Sequence, residues 1–369
     1  MAEYKNQHYV PQHLLRGWTD NEKLPVYNLE NEQEYPPTSI SNLCSEDYFY
    51  GGPEMEQSMD GLEERHANII NKIRNAKSFD ILKDIEILHF CSFVLLQRNR
   101  TKQTKQEADE LIDNIGKEIL KAQVETGEID PEIGDGVNIL DIMDRFKITK
   151  ENSLAFPMLQ ALTGVDLIKD LEVVVIENNT NKGFIISDHP IVHDNRRFKD
   201  EVERFLVGMQ SRGLQVFVPI SDEVQIMLYD PEAYIVDYSD KQERRVSTSS
   251  TEVIQSLNDM QMINAFENVF FREVGHGGEL REVQGRLSNH IQEETTLFRN
   301  LEPDEHDFDT NNEIIESGYT APDYSPYLPF VKQYVDVDFV VERQPHVNKK
   351  QSEFVKKLLA DARQNAEDN

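Results

Sequence analysis

The spacing of hydrophobic positions changes character once along the chain. From about Met59, the positions Leu62, His66, Ile69, Ile70 and Ile73 recur at helical spacing with charge on the opposite face. Over residues 79–99, Ile81, Ile85, Leu88, Phe90, Val94 and Leu95 put apolar groups on more than one side, which predicts a central, buried helix. Residues 102–124, rich in Lys and Glu, predict a more exposed helix. A turn-rich stretch at 126–135 follows, then two short helices near 138–147 and 152–163, the second interrupted by Pro157. Residues 1–50, punctuated by Pro11, Pro25, Pro36 and Pro37, predict a mostly irregular segment packed onto something else.

Beyond residue 170 the pattern shortens to strands. LEVVVIEN and FIISD, separated by the polar stretch Asn178 to Gly183, predict a hairpin. LQVFVP (214–219) and VQIMLY (224–229) predict a second. A helix near 250–265 has a Ser250 or Thr251 cap, and NVFFRE (268–273) predicts another strand. The expected class is α+β, with a mainly helical N-terminal half packed on a mixed, largely antiparallel sheet with helices. The expected divisions are 1–168, 169–299, an acidic stretch at 300–331, and 332–369 as a strand (335–343) plus a terminal helix (349–364), or else one domain throughout. Residues 300–331 hold no Lys or Arg but many Asp and Glu, so a solvated loop able to dock a basic partner is expected there.

Composition narrows the function classes. With 38 Lys and Arg against 68 Asp and Glu, the formal charge is −30. That argues against a surface built mainly to neutralise phosphate, while leaving room for a local basic cleft. The two cysteines, Cys44 and Cys91, can form neither a disulfide framework nor a four-thiolate zinc site, and they suit a reducing cytosol. No secretory signal is visible, and no apolar run approaches the roughly 20 residues that span a bilayer. A cytoplasmic protein without membrane contact is expected.

The signatures of P-loop, dinucleotide, zincin, α/β-hydrolase and CxxC proteins are absent, which leaves scattered polar groups as the candidates. In His8-Tyr9-Val10-Pro11-Gln12 the proline stiffens the backbone, presenting an imidazole able to titrate near neutrality beside an amide. Gln97 and Arg100 share a face at the end of the buried helix, offering a guanidinium fork for phosphate or carboxylate, or simply a helix-end charge. Asp188, in Ser187-Asp188-His189-Pro190, closes a predicted strand. It could orient His8 or His189, accept from an arginine, act as a base, or only cap a turn. His189 and His193 have the spacing of a weak metal pair, and no metal is assigned to them.

Taken in order, these stretches resemble the domain-of-unknown-function family four-two-three-eight. The resemblance rests on His8-Tyr9-Val10-Pro11-Gln12 with Leu15-Arg16, Glu63 and Ala67 on an early helix, Gln97-x-x-Arg100-Thr101, and Ser187-Asp188-x-Pro190. Weaker matches are Phe217-Val218-Pro219-Ile220-Ser221 and the helix around Asn264 leading into strand 268–272. It covers about residues 6–272. The chain departs from the family at His189, Lys102 and Ile220, where the family has Asn, Pro and Leu. The resemblance implies that His8, Gln12, Gln97, Arg100 and Asp188 belong to one site; it brings no reaction with it.

Two readings follow. In one, the chain is a hydrolase or phosphodiesterase-like enzyme acting on a nucleotide or nucleic acid. His8 and Asp188 are then catalytic, and Gln12, Gln97, Arg100 and Glu63 bind substrate, with no cofactor assigned. Only biological context, and no residue, points to a bacterial, phage-defence or toxin-like role. In the other, the same groups form a buried polar network in a non-catalytic interaction protein.

Overall fold

The four residues Val173 to Ile176 are all buried, because the strand that carries them is covered on both faces. The computed structural model describes residues 5–134, 136–196, 208–290, 296–301, 314–319, 324–334 and 343. Strand β1 (Asn6–His8), helix α1 (Gln12–Leu15) and strands β2 (Lys23–Asn28), β3 (Gln33–Ser39) and β4 (Ser45–Asp47) make an amino-terminal arm. Helices α2 (Pro53–Ala76), α3 (Asp84–Arg98), α4 (Lys102–Glu125) and α5 (Ala155–Thr163) follow. Next come β5 (Glu172–Asn178), β6 (Ile186–Ser187), β7 (Val192–Asp194), β8 (Gln215–Pro219), β9 (Val224–Tyr229), β10 (Tyr234–Val236) and β11 (Arg245–Thr248). After them lie α6 (Thr251–Asn264), β12 (Asn268–Phe270), α7 (Gly277–Leu287), β13 (Thr296–Leu301), β14 (Ile314–Tyr319) and β15 (Val331–Gln333).

The class is α+β. A five-stranded sheet runs β11-β5-β9-β8-β7, with β11 and β5 parallel and the other neighbours antiparallel. A four-stranded antiparallel sheet runs β3-β2-β12-β6. One face of β5 puts Val173 and Val175 into a core with Leu14, Ile70 and Phe93, so the helical half and the sheet share it. The other face puts Val174 and Ile176 against Ile254 and Leu257 of α6. Ser250 caps α6 by accepting from the Val253 N–H at 3.4 Å, as its sequence position predicts.

Three expectations differ from the structure. The amino-terminal fifty residues are not mostly irregular, because β2 and β3 pair from Lys23↔Ser39 to Asn28↔Gln33. Pro25 falls at the register shift in β2, and Pro36 and Pro37 lie on β3, an edge strand, where a missing N–H breaks no ladder. The 178–183 stretch does not close a hairpin, since β5 pairs with β9 and β11 while β6 pairs with β12 in the other sheet. Within the acidic stretch, Leu301 closes β13, which pairs antiparallel with β14, so part of it is strand. Residues 302–313 and 320–323, the terminal helix at 349–364 and all but Arg343 of the expected strand 335–343 lie outside the described residues.

The arm packs against the β8–β9 turn of the five-stranded sheet and the loop before β6. The Trp18 indole N–H donates to the Phe184 carbonyl at 2.7 Å. Arg74 of α2 donates to the His13, Leu14 and Ile220 carbonyls at 3.1–3.3 Å. Between them, Gly17 passes so close to the β8–β9 turn that a Cβ would overlap the Ile220 carbonyl oxygen and lie 2.9 Å from the Ser221 Cα. Backbone cannot yield as a flexible side chain does. Gly17→Ala should therefore lower stability by at least the about 1–3 kcal/mol typical of overpacking, read as a fall in the urea midpoint at unchanged slope.

Candidate functional site

The arm presents His8 from a strand fixed on every side. His8 pairs with Ser45 in the β1–β4 ladder, and the Tyr9 N–H donates to the Cys44 carbonyl at 2.8 Å. The Tyr50 hydroxyl donates to the His8 carbonyl at 2.8 Å, and the Gln7 side chain accepts from the Tyr50 N–H at 2.6 Å. Pro11 then starts α1, bringing the Gln12 amide nitrogen to 3.3 Å from His8 Nε2. The Gln12 oxygen accepts from Arg16 at 3.3 Å, and Arg16 also binds Glu22 at 2.9 Å.

Behind this half-buried imidazole lies a chain of buried polar groups. Gln97, at the end of α3, donates to the Tyr9 carbonyl at 2.9 Å and accepts from Arg100 Nε at 2.9 Å. Arg100 Nη1 donates to Glu63 of α2 at 2.5 Å. The Arg100 residue is 1% exposed, whereas the Glu63 side chain is 31% exposed. Burial lowers the His8 pKa; the Glu63 charge opposes this shift and the Arg100 charge adds to it. The His8 ring is thus neutral at pH 7, the form that can accept a proton.

Two further histidines feel the charge of the same guanidinium. His13 and His66 are buried, with ring centroids 6.1 and 5.6 Å from that of Phe93. Burial pushes each pKa down to about 3, and the Arg100 charge adds to the shift in both. Among the described residues, Nε2 of each is buried without a hydrogen-bond partner. Neither was singled out as a candidate. The signal was available in His66 itself, a polar residue inside an otherwise apolar helical stripe and three residues after Glu63.

Asp188 stands apart from this cluster. Its carboxylate accepts from the Phe266, Glu267 and Asn268 N–H groups at 2.8, 2.8 and 2.9 Å, fixing the turn between α6 and β12. Burial pushes its pKa up to about 6 while the three amides pull it down, so it is ionised at pH 7. Among the described residues its oxygens bond these amides and not His8, so it does not orient that ring. His189 is likewise occupied, with Nδ1 2.6 Å from the Thr101 hydroxyl and Nε2 3.4 Å from Arg98. Among the described residues, no three His, Cys, Asp or Glu side chains come together as metal ligands. The structure thus brings together His8, Gln12, Glu63, Gln97 and Arg100, and adds His13 and His66. Of these, Arg100 and Gln97 are sealed inside.

The comparisons with known proteins give one finding. A family described as "Protein of unknown function (DUF4238)" matches residues 6–274, which takes in every residue of the cluster. No curated protein and no solved structure matches the chain. No helix of the described residues is long and apolar enough to cross a membrane.

The buried histidines set a pH dependence of stability. His13, His66 and His189 have folded pKa values depressed to about 3, and His193 is also well below its ordinary value. Their contribution is complete above about pH 6.5 and is lost as pH falls toward 3, because the unfolded chain takes up the protons first. Asp188, raised to about 6, works in the opposite direction over its narrower range. Urea midpoints should therefore fall from pH 7 to pH 4, and His66→Phe should make that fall shallower. An unchanged slope in His66→Phe would show that this imidazole is not held neutral. Asp188→Asn, which turns an acceptor into a donor facing amide N–H groups, should cost about 1–3 kcal/mol by the same measurement.

Proposed function

Because the chain belongs to this family of proteins of unknown function, whose description names no activity, we propose from the geometry that it is a hydrolase acting on a phosphate-containing substrate. The carrying observation is a neutral, half-buried imidazole paired with the Gln12 amide and backed by the buried Glu63–Arg100–Gln97 chain. His8 is the general base: its Nε2, freed when the Gln12 amide turns to the substrate, takes a proton from the attacking water. Gln12 holds the ring and the substrate edge. Glu63, the partly exposed end of the internal chain, orders the water. Arg100 is a positioning residue here rather than a phosphate clamp, since its guanidinium is buried and faces Glu63 and Gln97. Arg16, whose side chain is 46% exposed and bonded to Gln12, is the cation that an incoming phosphate meets. The two buried free cysteines fit a cytoplasmic setting.

A second reading has a specific observation behind it: Arg100 and Gln97 are sealed, and Asp188 is spent on backbone amides. In that reading the cluster only fastens the arm. One experiment separates the two. Turnover is measured on bis-p-nitrophenyl phosphate, nucleotides and single-stranded RNA and DNA, for the wild type and His8→Ala. The hydrolase reading expects turnover in at least one case and a loss of about 10²–10⁴-fold in His8→Ala with little change in melting temperature. It also expects the rate to fall as pH drops through the lowered His8 pKa. Absence of turnover across the set, or His8→Ala matching the wild type, leaves the structural reading.

A further inference from the structure

A cavity of about 190 Å³ opens between the 178–184 loop, the turn after β8, α6, the segment following β12, and α7. None of the residues lining it belongs to the His8 cluster. Its floor is apolar and buried, built by Phe184, Ile185, Met262, Phe271, Leu280 and Val283. Its walls are held in place by side-chain bonds to backbone. Asn258 of α6 accepts from the Ile185 N–H at 3.0 Å and donates to the Gly183 carbonyl at 2.9 Å. Glu34 of β3 accepts from the Gly275 and Gly277 N–H groups at 2.8 and 2.7 Å, fixing the start of α7. The cavity is therefore pre-formed, which lowers the ordering cost of filling it.

Two ion pairs stand at the rim, each joining two walls. Lys182 of the loop bonds to Glu279 of α7 and to Gln255 of α6, and Arg272 after β12 pairs with Asp222 of the β8–β9 turn at 3.4 Å and bonds to Asp20 of the arm. All four side chains are part-exposed, so they remain able to exchange partners.

We propose that this cavity binds a free hydrophobic amino acid, its side chain on the apolar floor and its charged ends set into the rim pairs. The volume is below the about 300–1,000 Å³ of sites for drug-sized molecules, so the ligand is small, with a body of one ring or one branched chain. The choice of head group follows from charge balance. A zwitterion entering the rim gives its carboxylate to Lys182 or Arg272 and its ammonium to Glu279 or Asp222, so every charge keeps an opposite partner. A monoanion of the same shape takes Lys182 or Arg272 from its carboxylate, and a monocation at Glu279 takes that carboxylate from Lys182, so each leaves one rim charge without its opposite partner. Glu223 and Glu273 also line the cavity, which makes the site net acidic and works against phosphate.

Isothermal titration of the full chain tests this with L-phenylalanine, L-leucine, 3-phenylpropanoate, phenethylamine and inorganic phosphate. The expected result is saturable binding of an amino acid in the millimolar range or tighter, with the single-charge analogues at least tenfold weaker and phosphate silent. Val283→Trp fills the floor and should abolish binding. Should that variant misfold by circular dichroism, the surface variants Lys182→Met and Glu279→Gln carry the test, each weakening L-phenylalanine at least fivefold. No heat from either amino acid at about 10 mM, equal binding of the analogues, a phosphate signal, or unchanged affinity in the rim variants would overturn the assignment.

Discussion

A charged guanidinium, 1% exposed, sits where α2, α3 and the amino-terminal arm meet. Removing such a group from water costs several kcal/mol even after relaxation, and arginine cannot escape by losing its proton. Partners must be supplied, and here they come from separate places. Gln97 comes from the preceding turn and Glu63 from α2, and Gln97 in turn grips the Tyr9 carbonyl of the arm. Keeping one charge paired therefore fixes the mutual position of three elements. A buried pair of this kind adds little net stability over a well-packed apolar substitute, yet loss of either partner strands the other. What it supplies is position, and His8 is the group positioned.

Asp188 is the opposite case, a buried anion answered by backbone instead of side chains. Consecutive N–H groups at 266–268 converge on it, a concave donor arrangement suited to negative charge. Ser187 and Pro190 on either side are tied to Gln261 of α6, and His189 to the junction of α3 and α4. The Ser187-Asp188-His189-Pro190 stretch thus joins the four-stranded sheet to the helices. A strand-end carboxylate before a proline reads equally as turn cap or catalytic acid in sequence, since both need the same residue in the same local geometry. Only the neighbours, 78 to 80 residues later, separate the two.

The same division between local and distant information runs through the fold. Helices α2, α3, α4 and α6 and the β8–β9 hairpin were legible, because periodicity and caps act within a few residues. The β5–β6 stretch misled because a polar turn after β-branched residues looks the same whether the next strand folds back or crosses to another sheet. What decided it was Asn258 and Gln261 of α6, which claim the Ile185 and Ser187 N–H groups. The prolines of β2 and β3 misled because an edge or a bulge tolerates them, and edge position is a property of the whole sheet. At the site, the polar residues of the two short motifs were visible. His66 stands in an apolar stripe as a polar residue, but the same position fits a core imidazole, and its place in the field of Arg100's charge comes from the fold.

That field bears on what the His8 centre can attract. The whole molecule carries a formal charge of −30, and the two arginines nearest the centre are each paired, the buried Arg100 with Glu63 and the half-exposed Arg16 with Glu22. Charges more than about 8 Å apart through salt water are largely screened. A compact anion that reaches the centre competes with Glu22 for Arg16 and feels little of the distant acid. An extended polyanion lies across many screening lengths of surface and meets carboxylates along most of it, with few cations to release its counterions. On the proposed hydrolase reading, electrostatics alone therefore favours a nucleotide-sized phosphate compound over a long nucleic acid. Arg100 contributes twice, by holding the arm and by adding to the burial that keeps His8, His13 and His66 uncharged.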